Sequence, residues 1–263
     1  MNDTAETIDA GRAFDFGRTA ADYAKFRDIY PPEFYQKILQ RNLCVKGQTV
    51  LDVGTGTGVL PRNLYPNGAD WTGIDLSVEQ IRTAKELSKG MDIRYAVAPA
   101  EQPGFADGSF DVITACQCFW YFDHAKTAPV FHRLLRKNGR LLLLCMAWLP
   151  FEDEIAKASE DLVLQYSPHW TGGGEVMHPI EIPPCYLQYF EPVYHEEYRL
   201  QVPFTRESWH GRMRTCRGVG ASLNENEIAA WEKEHRALLE RIAPERFTVL
   251  HYAALAELKR IDG

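Results

Sequence analysis

The residues best suited to chemistry form a short glycine-rich segment that follows a predicted buried strand. The strand Thr49–Val53 runs into residues 54–58, in which three glycines alternate with two threonines, and a helix is predicted to follow. Glycine tolerates positive φ and lets a ligand approach the backbone closely. The start of a helix offers free N–H groups and the positive end of its dipole. The segment therefore predicts a ligand-binding loop.

Two acidic residues and the glycine spacing indicate the kind of ligand. The dinucleotide fingerprint G-x-G-x-x-G would place its third glycine at Val59, whereas this loop has it one residue earlier, at Gly58. Asp52 precedes the loop, and a carboxylate there suits a cationic amine or sulfonium better than a pyrophosphate. Asp75 ends the next predicted strand, where a carboxylate can accept hydrogen bonds from two ribose hydroxyls. These features favour S-adenosylmethionine over NAD, but an NAD-dependent oxidoreductase stays an alternative because Asp75 would suit it too.

Predicted strands and helices alternate around these residues. Apolar runs separated by helical patterns are typical of a doubly wound α/β fold with helices on both faces of a parallel sheet. A helical pattern covers residues 205–242 between two further strands. The predicted strands are residues 49–53, 71–74, 93–97, 110–116, 140–146, 194–202 and 247–258.

The glycine loop and Asp75 resemble the motifs of class I S-adenosylmethionine-dependent methyltransferases. The resemblance is closest to the small-molecule branch that includes the ubiquinone-biosynthesis and trans-aconitate methyltransferases, and it covers about residues 16–148. It implies a Rossmann-like, seven-stranded sheet with a small helical cap and an N-terminal lid. It also implies methyl transfer to a small molecule, and a non-catalytic regulatory protein that binds S-adenosylmethionine remains a second alternative.

The same resemblance implies roles for residues at several strand ends. Ala100 would supply a backbone N–H to adenine, and Glu101 would lie beside it. Cys116 and Gln117 occupy the position where the family's backbone meets the methionine end of the cofactor. The residues expected at the cofactor are Tyr23, Arg27, Asp52, Gly54, Thr55, Gly56, Asp75, Leu76, Ala100, Glu101, Cys116 and Gln117.

An N-terminal segment is similar to the family's Tyr-x-x-x-Arg lid. Tyr23 and Arg27 lie four residues apart and would share a helical face. In relatives such an arginine can pair with the cofactor carboxylate; the alternative here is a surface pair on an amphipathic helix. The resemblance thus predicts lid helices in residues 1–40 and a cofactor-binding core in 41–150. Residues 151–263 would complete the sheet and carry a helical cap (about 150–185 and 205–242) over the acceptor site.

Candidates for the acceptor side follow the fourth predicted strand. Methyl transfer from a sulfonium mainly needs alignment of nucleophile, methyl and sulfur, because the donor already carries the activated group. His124 is a candidate base, and the alternative is a solvated histidine at a helix start. Trp120 and Tyr121 are candidates for the pocket wall, and core packing would explain them as well.

A local reversal of charge lies in the predicted cap. Residues 206–217 hold four arginines against one glutamate, although the whole chain has a net charge of −7. On a helix, His210, Arg214 and Arg217 would share one face. One hypothesis is that they bind a carboxylate or phosphate on an anionic acceptor. The alternatives are a solvated helix face or ion pairs within the protein.

Composition argues against several other classes of protein. An acidic chain of 263 residues is poorly suited to a phosphate backbone, so we expect no nucleic-acid partner. The longest apolar run, residues 141–150, is too short for a membrane helix, and no secretion signal precedes it. The six cysteines form no CxxC pair, which predicts reduced thiols and no metal site. We therefore expect a cytoplasmic protein with a small-molecule substrate; the sequence does not indicate its oligomeric state.

Overall fold

The alternating strands and helices assemble around one seven-stranded sheet. The computed structural model describes residues 8–262 of the chain. The strands are β1 (Thr49–Val53), β2 (Asp70–Asp75), β3 (Ile93–Val97), β4 (Phe110–Cys116), β5 (Leu135–Trp148), β6 (Phe190–Thr205) and β7 (Arg246–Arg260). They lie in the order β3-β2-β1-β4-β5-β7-β6. Strands β1 to β5 pair in parallel. Because the chain winds outward in both directions from β1, the predicted doubly wound fold is confirmed.

Helices connect most of these strands. They are α1 (Ala20–Phe26), α2 (Pro32–Gln40), α3 (Val59–Leu64), α4 (Val78–Leu87), α5 (His124–Leu134), α6 (Glu154–Tyr166), α7 (Arg206–Arg214) and α8 (Glu225–Ile242). Helix α4 begins at a capped end, since the Ser77 hydroxyl accepts a hydrogen bond from the Gln80 N–H at 3.2 Å. None of the helices between residues 8 and 262 is both long and apolar enough to cross a membrane.

The predicted bounds are accurate for β1, β3 and β4 and too short for the other strands. The fifth strand starts five residues before the predicted Arg140, because Leu135 already pairs with Phe110. The ladder resumes where Arg140 pairs with Val112, so residues 136–139 bulge out of the strand. Asn138 lies in this bulge and has a φ of 60°.

The predicted helical region 205–242 contains two helices, α7 and α8, separated by a break after Arg214. Gly220 explains the break after Arg214, because its N–H donates to the Arg214 carbonyl at 3.0 Å. A Cβ at Gly220 would lie 2.5 Å from that carbonyl oxygen. The chain can therefore fold back closely only with glycine at this position.

The chain divides into two compact units whose bounds differ from the predicted domains. The sheet unit comprises Tyr30–Met146, His178–Tyr198 and the residues from Ala253 onward; the helical unit comprises the residues through Ile29, Ala147–Met177 and Arg199–Tyr252. Of the predicted lid helices, α1 belongs to the helical unit and α2 to the sheet unit. The predicted division into lid, cofactor-binding core and cap therefore stays a prediction.

In the sheet unit, the Tyr95 side chain explains why residues 58 and 73 are glycines. The Tyr95 ring on β3 is buried, and its hydroxyl lies 3.0 Å from that of Ser88. A Cβ at Gly58 would lie 2.3 Å from the Tyr95 oxygen, and a Cβ at Gly73 would lie 2.8 Å from its ring. Tyr95 therefore fills the space that side chains at these positions would need.

In the helical unit, a buried ion pair holds the N-terminal segment. Arg217 donates to both carboxylate oxygens of Asp9, at 2.5 and 3.1 Å, and the Thr171 N–H donates to the same carboxylate at 2.7 Å. Both charged side chains are buried. Burial acts to raise the pKa of Asp9, but the hydrogen bonds from Arg217 and Thr171 outweigh it and hold that pKa below its ordinary value.

A chain of hydrogen bonds in the same unit fixes two histidines in the neutral state. The Ser159 hydroxyl donates to the Ile155 carbonyl and accepts from Trp209 Nε1. His235 Nε2 must therefore donate to Ser159, at 3.0 Å, which leaves His235 Nδ1 as the acceptor of the proton on His210 Nδ1, also at 3.0 Å. Burial lowers the pKa of His210 to about 4 and the pKa of His235 to about 3.

We predict that Arg217→Ala destabilises the protein far more than Arg236→Ala. Removing Arg217 leaves the Asp9 carboxylate buried without its counter-charge, at a cost of about 3–5 kcal/mol. Arg236 pairs with Glu207 where both side chains are half exposed, so its removal should cost about 1 kcal/mol or less. Urea unfolding of the two variants measures the difference, and equal losses would contradict the role given to the buried pair.

The neutral histidines predict a loss of stability in mild acid. Their folded-state pKa values lie below the unfolded value of 6.5, so below that pH the unfolded chain binds more protons. Each should cost about 2 kcal/mol at pH 5 relative to pH 8. His210→Gln should flatten the dependence of the unfolding free energy on pH. His195→Gln, which changes an exposed side chain, should leave it as in the wild type.

A pair of glycine substitutions separates backbone strain from steric clash. Gly58 and Gly108 have φ of 74° and 62°, so alanine pays a similar backbone cost of about 1–2 kcal/mol at each. Nothing lies within 4 Å of a Cβ at Gly108, whereas Gly58→Ala must displace Tyr95. We expect Gly58→Ala to cost about 1–3 kcal/mol more in urea unfolding. Equal destabilisation by the two substitutions would show that the Tyr95 side chain moves aside without a measurable free-energy cost.

Candidate functional site

The predicted binding residues of the sheet unit gather where the strand order reverses. Strand β1 lies between β2 and β4, and the glycine loop leaves its carboxyl end. Asp75 ends β2, and Gln117 follows the end of β4. In open α/β sheets, ligands bind outside the carboxyl ends of the strands at such a switch point. The topology therefore brings residues from the carboxyl ends of β1, β2 and β4 to the same crevice.

The glycine loop has a backbone that only glycine adopts readily. Gly54, Gly56 and Gly58 have φ of 66°, 55° and 74°, all in the left-handed region. The loop is tied to the neighbouring strand because the Thr55 N–H donates to the Ile74 carbonyl at 2.9 Å. The glycines thus occupy every second position of the loop because the backbone is left-handed at each of those positions, and a threonine lies between each two of them.

Asp75 is held in place by the backbone and keeps acceptor capacity. One carboxylate oxygen accepts from the Gly56 N–H and the other from the Ser77 N–H, each at 2.9 Å. Burial raises the pKa of Asp75, and these N–H groups act against the rise. A carboxylate offers about four lone-pair sites. Each oxygen can therefore accept a further hydrogen bond, as two ribose hydroxyls require.

Asp52 is a buried carboxylate at the end of β1. Its side chain accepts a hydrogen bond from the Thr114 hydroxyl at 2.6 Å. Burial raises the pKa of Asp52 to about 6, against the effect of that bond, and the nearby charge of Asp75 adds to the rise. A cation beside these two carboxylates would be stabilised by both and would favour their ionised forms.

The region after Asp75 offers an apolar surface and a fixed carboxylate. The Leu76 side chain is 72% exposed, which is unusual for leucine and leaves it available to a planar ligand. Ala100 is buried, and Glu101 accepts a hydrogen bond from the Asp123 N–H at 3.1 Å. Glu101 is thus held against the start of α5.

These residues fit S-adenosylmethionine. Asp75 can accept from the ribose, Leu76 can cover the adenine, and Asp52 lies where a positive charge is favoured. The Thr57 hydroxyl in the loop is buried and has no hydrogen-bond partner among residues 8–262, so an acceptor or donor remains to be supplied there.

The segment after β4 carries the predicted Cys116 and Gln117. The Cys116 thiol donates to the Tyr30 hydroxyl at 3.4 Å. Gln117 has a φ of 63°, and its N–H donates to the Leu144 carbonyl at 2.9 Å. Sequence reasoning missed Cys118, whose Sγ would lie 2.7 Å from a Cβ at Gly54. The alternation of cysteines around Gln117 was the only signal that could have indicated it.

The aromatic residues after β4 differ in exposure. Trp120 is 40% exposed, and its ring centroid lies 5.8 Å from that of Tyr121. His124 packs instead against aromatic rings, 4.7 Å from Phe119 and 5.7 Å from Tyr186 between centroids. Burial lowers the pKa of His124, which weakens it as a base. Its catalytic role stays a prediction, and the alternative of a solvated histidine does not describe this half-buried ring.

Tyr23 and Arg27 lie in the helical unit and contact each other. The Arg27 guanidinium lies 4.6 Å from the centre of the Tyr23 ring, and its Nε donates to the Thr215 hydroxyl at 2.9 Å. They share a helical face, as their spacing predicts. That they bind the cofactor stays a prediction.

The two candidate arginines of α7 and the turn after it form ion pairs within the helical unit, and the candidate histidine is buried. Arg214 contacts the carboxylates of Asp22 and Glu232, and Arg217 pairs with Asp9. His210 is 1% exposed and stacks on Trp231. These contacts favour the ion-pair alternative over the binding of an anionic acceptor, because Arg214 and Arg217 already have carboxylate partners.

Comparison with known proteins assigns the central segment. A family described as the methyltransferase domain matches residues 51–143, which include the glycine loop, Asp75 and the end of β4. The ubiquinone biosynthesis O-methyltransferase of Pseudomonas paraeruginosa is 32% identical over 129 residues, which cover 48% of this chain and 56% of that protein. An uncharacterized methyltransferase of Schizosaccharomyces pombe is 28% identical over 130 residues, 49% of this chain and 51% of its own length. The matched part thus spans about half the length of these relatives.

Solved structures share the fold. The YcgJ protein of Bacillus subtilis superposes with a TM-score of 0.53 over 88% of this chain and 99% of its own, at 20% identity. A putative methyltransferase of Bacillus halodurans gives a TM-score of 0.52 over 85% and 97% of the two chains, at 18% identity. Residues 51–143 thus match the methyltransferase domain family, and most of the chain shares the fold of these solved structures.

Proposed function

We propose that this protein transfers a methyl group from S-adenosylmethionine to a small-molecule acceptor. The observation that carries the proposal is the pair of carboxylates at the switch point, the half-buried Asp75 beside the glycine loop and the buried Asp52 before it. Asp75 is oriented by two backbone N–H groups toward further hydrogen-bond donors. Asp52 favours a positive charge nearby, as the donor's amine and sulfonium groups provide.

The chain's part in the reaction is mainly to hold and orient. S-adenosylmethionine supplies an activated methyl group when bound. Asp75 would fix the ribose, Leu76 would cover the adenine, and the backbone at residues 54–56 would adjoin the methionine end. Alignment of reacting groups can supply about 7–11 kcal/mol in favourable cases. A rigid loop of left-handed glycines suits this role because it gives the donor one position.

A small acceptor is supported by the relatives and by the segment after β4. The Pseudomonas relatives are named for O-methylation in ubiquinone biosynthesis, which is chemistry on a small molecule. Trp120 and Tyr121 supply aromatic surface beyond the end of β4, and we infer that they form part of the acceptor wall. Since Arg214 and Arg217 are paired with carboxylates, nothing in the helical unit requires the acceptor to be an anion.

We predict that Asp75→Ala weakens the binding of S-adenosylmethionine by about 1.5–3 kcal/mol, the range for hydrogen bonds to a charged group. This is about 10- to 150-fold in the dissociation constant. Asp70→Ala is the matched control, because Asp70 starts the same strand and forms an exposed ion pair with Arg94. Calorimetry on both variants measures the effect, and Asp70→Ala should bind as the wild type does.

Two results would contradict the proposal. Tight binding of NAD without binding of S-adenosylmethionine would favour an oxidoreductase. Binding of S-adenosylmethionine without formation of S-adenosylhomocysteine across a broad library of small hydroxyl, amine and thiol acceptors would favour the regulatory alternative.

A further inference from the structure

Gln117 has a backbone conformation that its residue type does not favour. Its φ of 63° lies in the left-handed region, where residues other than glycine, asparagine and aspartate are uncommon. It occurs at the end of β4, beside the predicted donor site. Such conformations persist only when the surrounding structure holds them, and they concentrate at functional sites.

The Gln117 residue is held by the end of β5. Its backbone N–H donates to the Leu144 carbonyl at 2.9 Å, and its side-chain Nε2 donates to the Met146 carbonyl. Its Oε1 accepts from the Cys145 thiol, with an oxygen–sulfur distance of 3.8 Å. Backbone and carboxamide together therefore tie the residue to three consecutive residues of the neighbouring strand.

The left-handed turn at Gln117 sends the chain back toward β1. The next residue, Cys118, donates from its thiol to the Val53 carbonyl at 3.1 Å. Its Sγ lies against Gly54, where a Cβ would be only 2.7 Å away. Gln117 and Cys118 thus join the carboxyl ends of β5, β4 and β1 across the switch point.

We propose that the Gln117 side chain is a positioning residue that sets Cys118 against Gly54 and so fixes the gap between the glycine loop and the segment after β4. In the proposed function this gap receives the methionine end of the donor, so the effect on donor binding rests on that function. The effect on Cys118 does not. The carboxamide acts through Cys118 and the strand ends rather than by touching the reacting atoms.

Two substitutions separate the effect of the carboxamide hydrogen bonds, here called the tether, from the effect of the backbone strain. Gln117→Leu keeps the bulk and the strained φ but removes both carboxamide hydrogen bonds. Gln117→Gly relieves the strain and also removes the tether. Gln40→Leu makes the same chemical change at an exposed residue, the last of α2, and serves as the control.

The main readout needs no ligand. The full-length protein is treated with iodoacetamide, and the alkylation rate of Cys118 is followed by mass spectrometry of its peptide. We expect both Gln117 variants to raise this rate about tenfold, since a lost hydrogen bond of about 1.4 kcal/mol changes a population by that factor. Gln40→Leu should react as the wild type does. The thermal midpoint should change little in any variant, because Gln117 lies outside the buried core.

Binding of S-adenosylmethionine is then measured by calorimetry. A loss of about tenfold in both Gln117 variants, with binding intact in Gln40→Leu, is the expected result. An unchanged alkylation rate of Cys118 in both Gln117 variants would overturn the proposal. So would protection of Cys118 that is retained in Gln117→Gly but lost in Gln117→Leu, because it would show that the backbone strain and not the carboxamide hydrogen bonds matters. Absence of binding in the wild type would refute the proposed function, whereas the Cys118 rates would still test the positioning role.

Discussion

The close packing of backbone at the carboxyl end of β1 is the constraint on which the rest of the site depends. At Gly54 a side chain would meet Cys118, and at Gly58 and Gly73 it would meet Tyr95. These contacts fix the loop from two sides, by a tyrosine on β3 and by a cysteine after β4. The loop can therefore be left-handed at three positions without being loose. A rigid loop of this kind is what a reaction that depends on alignment requires.

The carboxylates that the fold removes from water differ in whether an arginine pairs with them. In the sheet unit, the buried Asp52 and the half-buried Asp75 accept hydrogen bonds but form no ion pair within residues 8–262, whereas the buried Glu257 pairs with Arg41 and Arg140. In the helical unit, Asp9 pairs with Arg217, whereas the buried Glu160 accepts hydrogen bonds from Trp148 and Gly174. A site that is short of positive charge favours a cationic ligand, whereas a satisfied ion pair contributes to structure. The distribution of partners, rather than the number of arginines, therefore indicates where a ligand binds.

Sequence patterns predicted the sheet unit well because its signals are local. A buried strand, a glycine loop and an acidic strand end each occupy a few consecutive residues, and β1, β3 and β4 have the predicted bounds. The roles of Tyr95 and Cys118 could not be predicted, because they depend on which strands become neighbours. The arginines near α7 were misleading for the same reason: Arg217 pairs with Asp9, which lies 208 residues away in the chain. The bulge at Asn138 also needed the register of β4 against β5.

The elevated pKa of Asp52 links the two properties of the site, its burial and its preference for positive charge. A carboxyl group with a pKa of about 6 is mostly ionised at pH 7, but at a higher free-energy cost than an exposed one. A cation bound beside it would lower that pKa, so ionisation and cation binding favour each other. Thr114 contributes by donating to the ionised form and by holding the carboxylate in one orientation. In the proposed function, burial that would be unfavourable in a purely structural carboxylate thus becomes, next to a glycine loop, a means of selecting a sulfonium donor over an anionic cofactor.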